Sequence, residues 1–465
     1  MRKNLFDGLQ PTPAEHFKLY FYGAVLSLFH HVVQVYGSSE SAFKEFPFLI
    51  GYNNELADGG LAGLHSTEAV SWWLESLQGW EDKATGHLPL RSLRKSAGLD
   101  HSAIILLTTI GLIEEDLRFG LVFETMQGSP GQHRATPSLL NTWGRDEAHW
   151  RDARSNLRQM RELGLVRVVN PESPRLEWAL EVPSALWDAL RGEQNEVPGP
   201  GLRYRPPGEL AAMKDLILPP DVHEKVRAIP ELFRAGEAQT LIVRGAYRNG
   251  RRTIFSAIAR ELNLGLLEIK DISGSNDERF RIAGPLATAL NALPVIVLDL
   301  EPRESIEIPR LSACDSPSGI VLSKQGGVSG EGAEHAIAIN LDMPDPGLRK
   351  QHWQRACSES KLRDPETISE RFRITSGNIH RVARLAESYA ALGKRTEITL
   401  ADAQRATRSL NRQILDALAI RLSASGDWTQ LAVGGETRRE LENLVSRCRH
   451  REHLHSQVGT RADAG

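Results

Sequence analysis

The sequence predicts a multidomain chain with an all-α N-terminal region, a winged-helix-like α+β domain, and an α/β core with a parallel sheet and an α-helical lid. Helical periodicity dominates the first 85 residues, and a helix followed by two alternating strands precedes residue 192. Beyond residue 216, short apolar strands alternate with helices, which is the pattern of a parallel sheet. The chain has 465 residues, enough for about two to four hydrophobic cores.

Composition narrows the classes of protein to which the chain can belong. Its formal net charge is −3, so no global field favours nucleic acid or an anionic membrane. Three widely spaced cysteines show no metal-ligand spacing, which favours free thiols in a reducing compartment. The N-terminus has no signal-peptide core, and the apolar stretch 21–36 is too short to span a bilayer. We therefore expect a cytoplasmic protein.

The N-terminal region, residues 1–85, shows helical spacing in FKLYFYGAVLSLFHHVVQVY and in HSTEAVSWWLESLQGW. Ser66 or Thr67, followed by Glu68, suits the start of the second of these helices. Its apolar side chains are expected to face a core, although tryptophans could instead bind a partner: Trp72, Trp73, Leu77 and Trp80.

Residues 86–192 show a winged-helix pattern. The segment WRDARSNLRQMRELGLV is an amphipathic helix, and VRVVNPESPRLEWALEV follows as two strands around a Pro-Glu-Ser-Pro turn. Four arginines recur at helical spacing, as on a helix that reads DNA: Arg151, Arg154, Arg158 and Arg161. Carboxylates alternate with these arginines, so the alternative to a DNA-reading helix is a helix whose charged face is simply exposed to solvent. The next segment, residues 193–215, is rich in proline and glycine and is expected to be a linker.

A glycine-bounded turn between a strand at 240–244 and a helix at 254–262 is the candidate phosphate loop. In this context, backbone N–H groups and the helix dipole cradle phosphate. The usual sequence is G-x-x-x-x-G-K-[ST], in which the lysine contacts the outer phosphates and the hydroxyl binds magnesium. The candidate nucleotide-binding residues of the loop are Gly245, Ala246, Tyr247, Arg248, Asn249, Gly250, Arg251, Arg252 and Thr253.

The loop departs from the usual pattern directly after its second glycine. Arg251 replaces the lysine and keeps its charge, but a planar guanidinium does not simply fill the role of a point charge. Arg252 replaces the hydroxyl residue, and Thr253, the candidate metal ligand, comes one position late. Taken alone, such a strand, turn and helix could be merely structural.

Two later strands supply candidate catalytic residues. The buried strand in LPVIVLDLEP is expected to end in Asp299, which would hold magnesium through its water shell. A glutamate that polarises water usually follows directly, but here Leu300 follows, and Glu301 shares the face of Asp299 on an extended strand. The alternative is a plain buried strand with a polar end. The strand in SGIVLSKQGG places Ser323 where a polar residue would sense the γ-phosphate.

The order of phosphate loop, acidic strand, sensor strand and helical lid resembles the AAA+ family of P-loop ATPases. More narrowly, the chain is similar to bacterial winged-helix AAA+ ATPases, some of which accompany contractile, phage-tail-like injection systems. This resemblance rests on LPLRSLRKSAGLDHSAIILLTTIGLIEEDLRFG, the GRRT-type loop and SGNIHRVARLA, and it extends over most of the chain from about residue 85. It implies that the protein binds ATP and Mg²⁺ and forms an oligomer, commonly a hexameric ring.

The resemblance assigns roles residue by residue. The phosphates fall to Gly245, Gly250 and Arg251, magnesium to Asp299, and the first sensor to Ser323. The second-sensor arginine usually comes three residues after the glycine of the lid motif, here Gly377. This chain has His380 at that place, so Arg381 is the candidate substitute.

Four groups of the usual ATPase site are altered or missing. They are the lysine, the Ser or Thr hydroxyl that binds magnesium, the adjacent glutamate and a trans-acting arginine finger. Phosphoryl transfer depends on positioning and electrostatics from these groups, so we expect nucleotide binding with poor hydrolysis. In tandem members of the group, a degenerate first module precedes a competent second one. Residues 426–459 resemble the entry to such a second module, with a solvated C-terminal helix as the alternative.

The sequence therefore predicts an AAA+ ATP-binding protein that couples its nucleotide state to the assembly or remodelling of a protein partner, in a homo-oligomer or a ring with an AAA+ partner. A non-catalytic scaffold with a vestigial site and a winged-helix DNA-binding regulator are the alternatives. The predicted boundaries are 1–85 for the helical region, 86–192 for the winged-helix-like domain, 193–215 for the linker, 216–345 for the core, 346–425 for the lid and 426–465 for the tail.

Overall fold

The structure, a computed structural model, describes residues 6, 8–58, 67–143, 153–357, 361–418 and 432–458. It contains two compact units. The first comprises Met1–Lys214, Arg227–Arg244 and Arg252–Ile339, and the second comprises Asp215–Val226, Gly245–Arg251 and Asn340–Gly465. No helix within the described ranges is long and apolar enough to cross a membrane.

Helices build the N-terminal part of the first unit, as the sequence predicts. In the described residues they are α1 (Pro13–Tyr36), α2 (Ser39–Glu45), α3 (Leu49–Asp58), α4 (Thr67–Lys83), α5 (Pro89–Ser96), α6 (His101–Glu115), α7 (Arg118–Gln127) and α8 (Pro137–Trp143). The first helix starts after Thr12, whose hydroxyl accepts a hydrogen bond from the Glu15 amide at 3.3 Å. Helix α6 is apolar almost all round and buried along most of its length, so it forms the centre of this core.

The packing of α4 differs in part from its expected form. Trp73 and Leu77 are buried, and the Trp73 indole N–H donates to the Leu19 carbonyl at 3.0 Å. Trp80 is half-buried, but Trp72 is 38% exposed. Successive helical residues point about 100° apart, so the side chain next to a buried Trp73 turns toward solvent. The expectation of a core position is therefore wrong for Trp72. Ser66 lies outside the described residues.

A helix and a short hairpin follow. They are α9 (Ala153–Glu162), β1 (Arg167–Val168) and β2 (Leu180–Glu181), and α10 (Ser184–Arg191) comes next. The two strands pair antiparallel, with Val168 opposite Leu180. Leu157 and Met160 of α9 are buried, as an amphipathic helix requires. Arg151 lies outside the described residues, and the winged-helix assignment stays a prediction.

A mixed, mainly parallel sheet lies largely in the first unit. Its strands are β3 (Leu202–Arg205), β4 (Thr240–Gly245), β5 (Gly265–Ile269), β6 (Ala292–Val297), β8 (Ser318–Leu322) and β10 (Ile337–Leu341). They lie in the order β10-β4-β8-β6-β5-β3, and β4, β8, β6 and β5 are mutually parallel. The helices that alternate with them are α11 (Pro220–Ala235), α12 (Arg251–Glu261) and α13 (Arg279–Ala289), and a small parallel pair consists of β7 (Ser305–Glu307) and β9 (Gly327–Ser329).

The segment expected to be a linker differs from that expectation. Residues 202–205 form β3, which pairs antiparallel with β5 at the edge of the sheet. Leu202 and Tyr204 are buried, whereas Arg203 between them is exposed. This alternation is that of a half-buried edge strand, and an edge position tolerates the prolines and glycines on either side.

The described C-terminal part is helical and belongs to the second unit. It contains α14 (Pro346–Ala356), α15 (Pro365–Arg371), α16 (Ser376–Leu392), α17 (Leu400–Leu418) and α18 (Gly435–Val458). Helix α14 begins at the predicted corner, where the Asp345 carboxylate accepts a hydrogen bond from the Leu348 amide at 2.8 Å. Trp353 and Ile379 lie in a common buried core of this unit. The assignment of these helices as a lid stays a prediction.

Candidate functional site

The candidate phosphate loop has the predicted local form, since β4 ends at Gly245 and α12 begins at Arg251. The turn is tight, because the Asn249 amide donates to the Ala246 carbonyl at 3.2 Å. Two backbones in it are left-handed, Arg248 with φ 61° and Gly250 with φ 83°. Glycine suits the second of these positions because, without a Cβ atom, it adopts a φ of 83° at no steric cost.

Three hydrogen bonds, which we name the loop anchor, hold this turn within the second unit. The Asn249 side-chain amide donates to the Leu341 carbonyl at 3.1 Å and to the Asp342 carbonyl at 2.7 Å. The Gly377 amide, in the first turn of α16, donates to the Arg248 carbonyl at 2.8 Å. Asn249 is only 4% exposed, so this amide serves the protein rather than solvent. The loop is therefore anchored to the segment after β10 and to the start of α16.

Two glycines allow this close approach. A Cβ atom on Gly245 would lie 2.6 Å from the Leu341 carbonyl oxygen, and one on Gly377 would lie 2.7 Å from the Arg248 carbonyl oxygen. Both distances are shorter than a carbon–oxygen contact allows, so neither position accepts a side chain without movement of the backbone. In the sequence these glycines are recognisable only as motif positions, and their role in anchoring the loop could not be predicted because the contacts join residues far apart in the chain.

The loop side chains divide into a buried and an exposed set. Arg251, the residue at the lysine position, is 5% exposed, and its Cδ lies near Gly245. Its side chain thus turns back across the loop. By contrast, Tyr247 is 61% exposed, and the Arg248 guanidinium lies 5.1 Å from the Tyr247 ring centre. Ala246 is half-buried.

Arg252 is bound to the protein itself. Its Nε donates to Glu268 Oε1 at 2.7 Å, and its Nη2 pairs with Glu268 Oε2. Glu268, in β5, is 1% exposed and also contacts Lys270 at 2.8 Å and Arg205 at 3.5 Å. Burial alone would raise the pKa of Glu268, but hydrogen bonds from Arg252 and Lys270 lower it below its usual value. The prediction that Arg252 binds nucleotide is not supported by this arrangement, since Glu268 already holds its guanidinium.

Thr253 is exposed in the first turn of α12. It is one residue beyond the usual hydroxyl position, and on a helix one residue turns a side chain by about 100°. Within the described residues, no group of three or more His, Cys, Asp or Glu side chains could hold a metal ion. The structure thus offers magnesium no hydroxyl at the expected place. For a phosphate the fit is better, because the glycine-bounded turn, the start of α12 and Arg251 are all present.

The candidate catalytic residues follow the ends of two strands in the first unit. Strand β6 ends at Val297, two residues earlier than the expected acidic end, and both Asp299 and Glu301 are exposed. The Glu301 amide donates to the Glu304 carboxylate at 2.7 Å, so the chain turns here. The expectation that Glu301 shares a strand face with Asp299 is therefore wrong, because no strand continues through these residues.

Ser323 directly follows β8, next in the sheet to β6. Its hydroxyl lies 2.7 Å from the Leu300 carbonyl and 2.7 Å from the Gln325 carbonyl. A hydroxyl has a single hydrogen, which one of these carbonyls accepts, so Ser323 joins the turns after β6 and β8. Because β6 and β8 are parallel neighbours, Ser323 and Asp299 leave the same edge of the sheet, where ligands bind in open α/β sheets.

The second-sensor candidates lie in the first two turns of α16. Arg381 is exposed, whereas His380 is half-buried and its ring centre lies 5.9 Å from that of His352. Burial lowers the pKa of His380 below its usual value, and burial with the charge of nearby cations lowers the pKa of His352 to about 4. Both imidazoles are therefore neutral at pH 7, and His380 cannot supply the charge of the arginine it replaces.

Comparisons with known proteins give structural neighbours only. No protein-family model and no curated protein matches the sequence. The chain is similar to the AAA domain of FIGL-1, with 12% identity, a TM-score of 0.30, and 51% of this chain and 89% of that chain covered. A Thermotoga maritima RuvB mutant shares 16% identity at a TM-score of 0.31, covering 50% of this chain and 85% of its own. A structure from work on katanin self-assembly shares 15% sequence identity at a TM-score of 0.31, with 48% of this chain and 90% of that chain covered. At these values the likeness carries no functional argument.

Proposed function

We propose that this chain is an AAA+-type ATP-binding protein that hydrolyses ATP weakly or not at all and couples nucleotide binding to a protein partner. One observation carries the proposal. The turn from Gly245 to Gly250 joins a parallel strand to the first turn of α12 and is fastened by the loop anchor. Anions bind at such helix starts, where backbone amides have no partner within the helix.

Weak hydrolysis follows from what the neighbouring groups already do. Arg252 occupies the position at which a Ser or Thr usually binds magnesium, and its guanidinium is paired with Glu268. The Ser323 hydroxyl is engaged by backbone carbonyls, and Glu301 lies in a turn. A catalytic group must be aimed at the reacting atoms before it lowers the barrier, so these residues contribute little to phosphoryl transfer.

The loop anchor suggests how binding would be transmitted. A phosphate on the loop amides would restrain the same turn that Gly377 and the carbonyls of Leu341 and Asp342 hold. Nucleotide would therefore stabilise the second unit beyond the loop. The resemblance in sequence adds the finer parts of the proposal, namely an oligomeric ring, a helical lid, a winged-helix-like domain, and a link to contractile injection systems.

ATP binding is tested by the thermal unfolding of the full chain with and without ATP and magnesium. A ligand that binds only the folded state at a hundredfold excess over its Kd adds about 2.7 kcal/mol to the free energy of unfolding. We expect a clear rise of the unfolding midpoint and no release of phosphate above background. The Arg251→Ala protein should lose the rise, and Arg251→Lys, which restores the usual residue, should keep it.

Controls separate a lost ligand from a lost fold. Arg408→Ala removes an exposed arginine of α17 and should keep the full rise. If Arg251→Ala unfolds early without ligand, the Arg251→Lys result decides the question. Phosphate release that Asp299→Ala abolishes would contradict weak hydrolysis. The absence of any rise in the wild-type chain would favour a second candidate, a scaffold with a vestigial site, for which the Arg252–Glu268 ion pair already argues.

A further inference from the structure

Outside the candidate loop, the first unit contains a large open cleft of about 2090 Å³. One wall is formed by α9 and the β1–β2 hairpin, and the other by residues 198–202 and 273–282. The two walls meet at Gly164, where φ is 77° and a Cβ atom would lie 2.6 Å from the Arg281 carbonyl oxygen. The cleft is thus a groove with a closed end, built within one compact unit.

Arginine dominates the charge of this cleft. Among the described residues that line it, seven are arginines, four carry carboxylates and none is a lysine. Three of the carboxylates are already paired, Glu162 with Arg158, Glu181 with Arg167, and Asp277 with Arg279. Within the part of the chain that the structure describes, Arg154, Arg175 and Arg281 have no carboxylate partner. A chain with a net charge of −3 therefore concentrates unneutralised positive charge in one groove.

The centre of the cleft combines this charge with apolar surface. The Arg161 guanidinium lies 4.2 Å from the Trp178 ring centre, and that of Arg175 lies 6.0 Å from it. Burial and the charge of Arg175 lower the pKa of Arg161 below its usual value, as expected for a cation among cations. On the hairpin, Val169 is 52% exposed and Leu176 is 57% exposed.

We propose that this cleft binds an extended, acidic segment of a partner protein, with glutamates or aspartates on the free arginines and apolar side chains against Val169 and Leu176. Guanidinium groups match carboxylates bidentately, which is the reason for a lining of arginine rather than lysine. The site is separate from the candidate nucleotide loop, so the inference stands or falls independently of ATP binding.

Nucleic acid fits the cleft less well than such a peptide. A helix that reads duplex DNA enters the major groove, about 12 Å wide, with its outer face unobstructed. Here the arginines of α9 line a cleft whose second wall lies opposite them, and Gly164 packs on the Arg281 backbone. The outer face of α9 is therefore obstructed. Single strands need open aromatic faces for their bases. Of the lining residues that the structure describes, Trp178 alone is aromatic, and the Arg161 guanidinium already covers its ring.

The test is fluorescence anisotropy with the full chain and a labelled peptide in which glutamates alternate with leucine and proline. We expect saturable binding that weakens as salt is added, because the contacts are charged and solvent-accessible. Arg154→Ala with Arg281→Ala should weaken it at least about tenfold, the loss of one charge-assisted hydrogen bond or more. The same two positions changed to lysine should recover part of the affinity but not all of it.

Matched controls make the outcome decisive. Arg227→Ala with Arg408→Ala removes two exposed arginines outside the cleft and should leave peptide affinity unchanged. A peptide with glutamine for glutamate should not bind. Three results would overturn the proposal: tighter binding of duplex or single-stranded DNA of equal charge, equal binding by the cleft variant, or no binding of the acidic peptide at all. ATP-induced stabilisation, measured on the same variants, should persist.

Discussion

At the scale of single residues, Glu268 fixes the position of the Arg252 side chain at the start of α12. Its buried carboxylate pairs with Arg252 of that helix, with Lys270 directly after its own strand, and with Arg205 of the edge strand. Desolvating a carboxylate costs free energy unless cations pair with it, and here three cations contact the one carboxylate. The ion pair therefore stabilises the fold and engages the Arg252 guanidinium within the protein.

Removal of this charge should be strongly destabilising. Glu268→Gln keeps the shape of the side chain but leaves three partly exposed cations around a neutral amide, and the loss of these charged hydrogen bonds costs about 1–3 kcal/mol. The free energy of unfolding in urea measures the loss. Glu261→Gln, on the exposed last residue of α12, is the matched control and should change stability by less than about 0.5 kcal/mol. Equal stability of the two variants would contradict the role given to Glu268.

The strand, turn and helix of the loop could be predicted from the sequence, but the hydrogen-bond partners of its residues could not. The glycine spacing and the missing lysine are local and visible in nine consecutive letters. The Asn249 contacts with Leu341 and Asp342 cross about ninety positions, and local pattern contains no information on them. For the same reason, the ion pair of Arg252 with Glu268 could not be predicted.

At the scale of elements, glycines determine how closely α13 packs. A Cβ atom on Gly284 would lie 1.9 Å from the Ser312 carbonyl oxygen, so the helix meets that loop backbone to backbone. Gly284→Ala must displace one of them, and overpacking of this kind costs about 1–3 kcal/mol. Gly79, half-buried in α4, has no atom within 4 Å of the corresponding point. Gly79→Ala should therefore stabilise the chain by up to about 1 kcal/mol. Thermal unfolding of both variants checks the opposite signs, and a stabilised Gly284→Ala protein would refute this packing.

Composition misled the element assignment in one place. The run EQNEVPGPGLRYRPPGE contains the four residues of β3, whose two arginines and flanking prolines resemble a linker. Its alternation, Leu202 and Tyr204 inward with Arg203 outward, is too short to outweigh that composition. A tertiary partner, β5, makes it a strand. Strand β6, in contrast, is a continuous apolar run, and its existence was predicted with an error of two residues at its end.

At the scale of the whole molecule, the succession of helical region, hairpin segment and alternating sheet could be predicted because each depends on periodicity along the chain. Polar groups buried inside these layers could not. Glu81 of α4, 2% exposed, accepts hydrogen bonds from His16 of α1 at 2.7 Å and from Tyr20 of α1 at 2.7 Å. Arg94 of α5 adds a contact at 2.9 Å. One carboxylate thus ties three helices together.

These buried groups make the stability of the chain depend on pH in one direction. Burial lowers the pKa of several described histidines: His16, His87, His101, His352 and His380. The unfolded chain takes up protons near pH 6.5 that the folded chain rejects, so stability is full above that value and falls as the pH decreases. Burial would raise the pKa of Glu81, but its hydrogen bonds and Arg94 lower it to about 2. Its contribution is therefore lost between about pH 4.5 and 2.

We expect the unfolding midpoint, followed by tryptophan fluorescence, to fall between pH 7.5 and 5, before carboxylates titrate. With its pKa lowered to about 4, His352 alone should account for about 2 kcal/mol of that loss at pH 5. His352→Gln removes the titrating group and should flatten the dependence by this amount. His335→Asn removes an exposed imidazole at φ 57°, a backbone that asparagine accepts, and should leave the dependence unchanged. If stability is constant from pH 7.5 to 5, or if both variants flatten it equally, these imidazoles are not buried in the folded chain, and the core around Trp353 is looser than described.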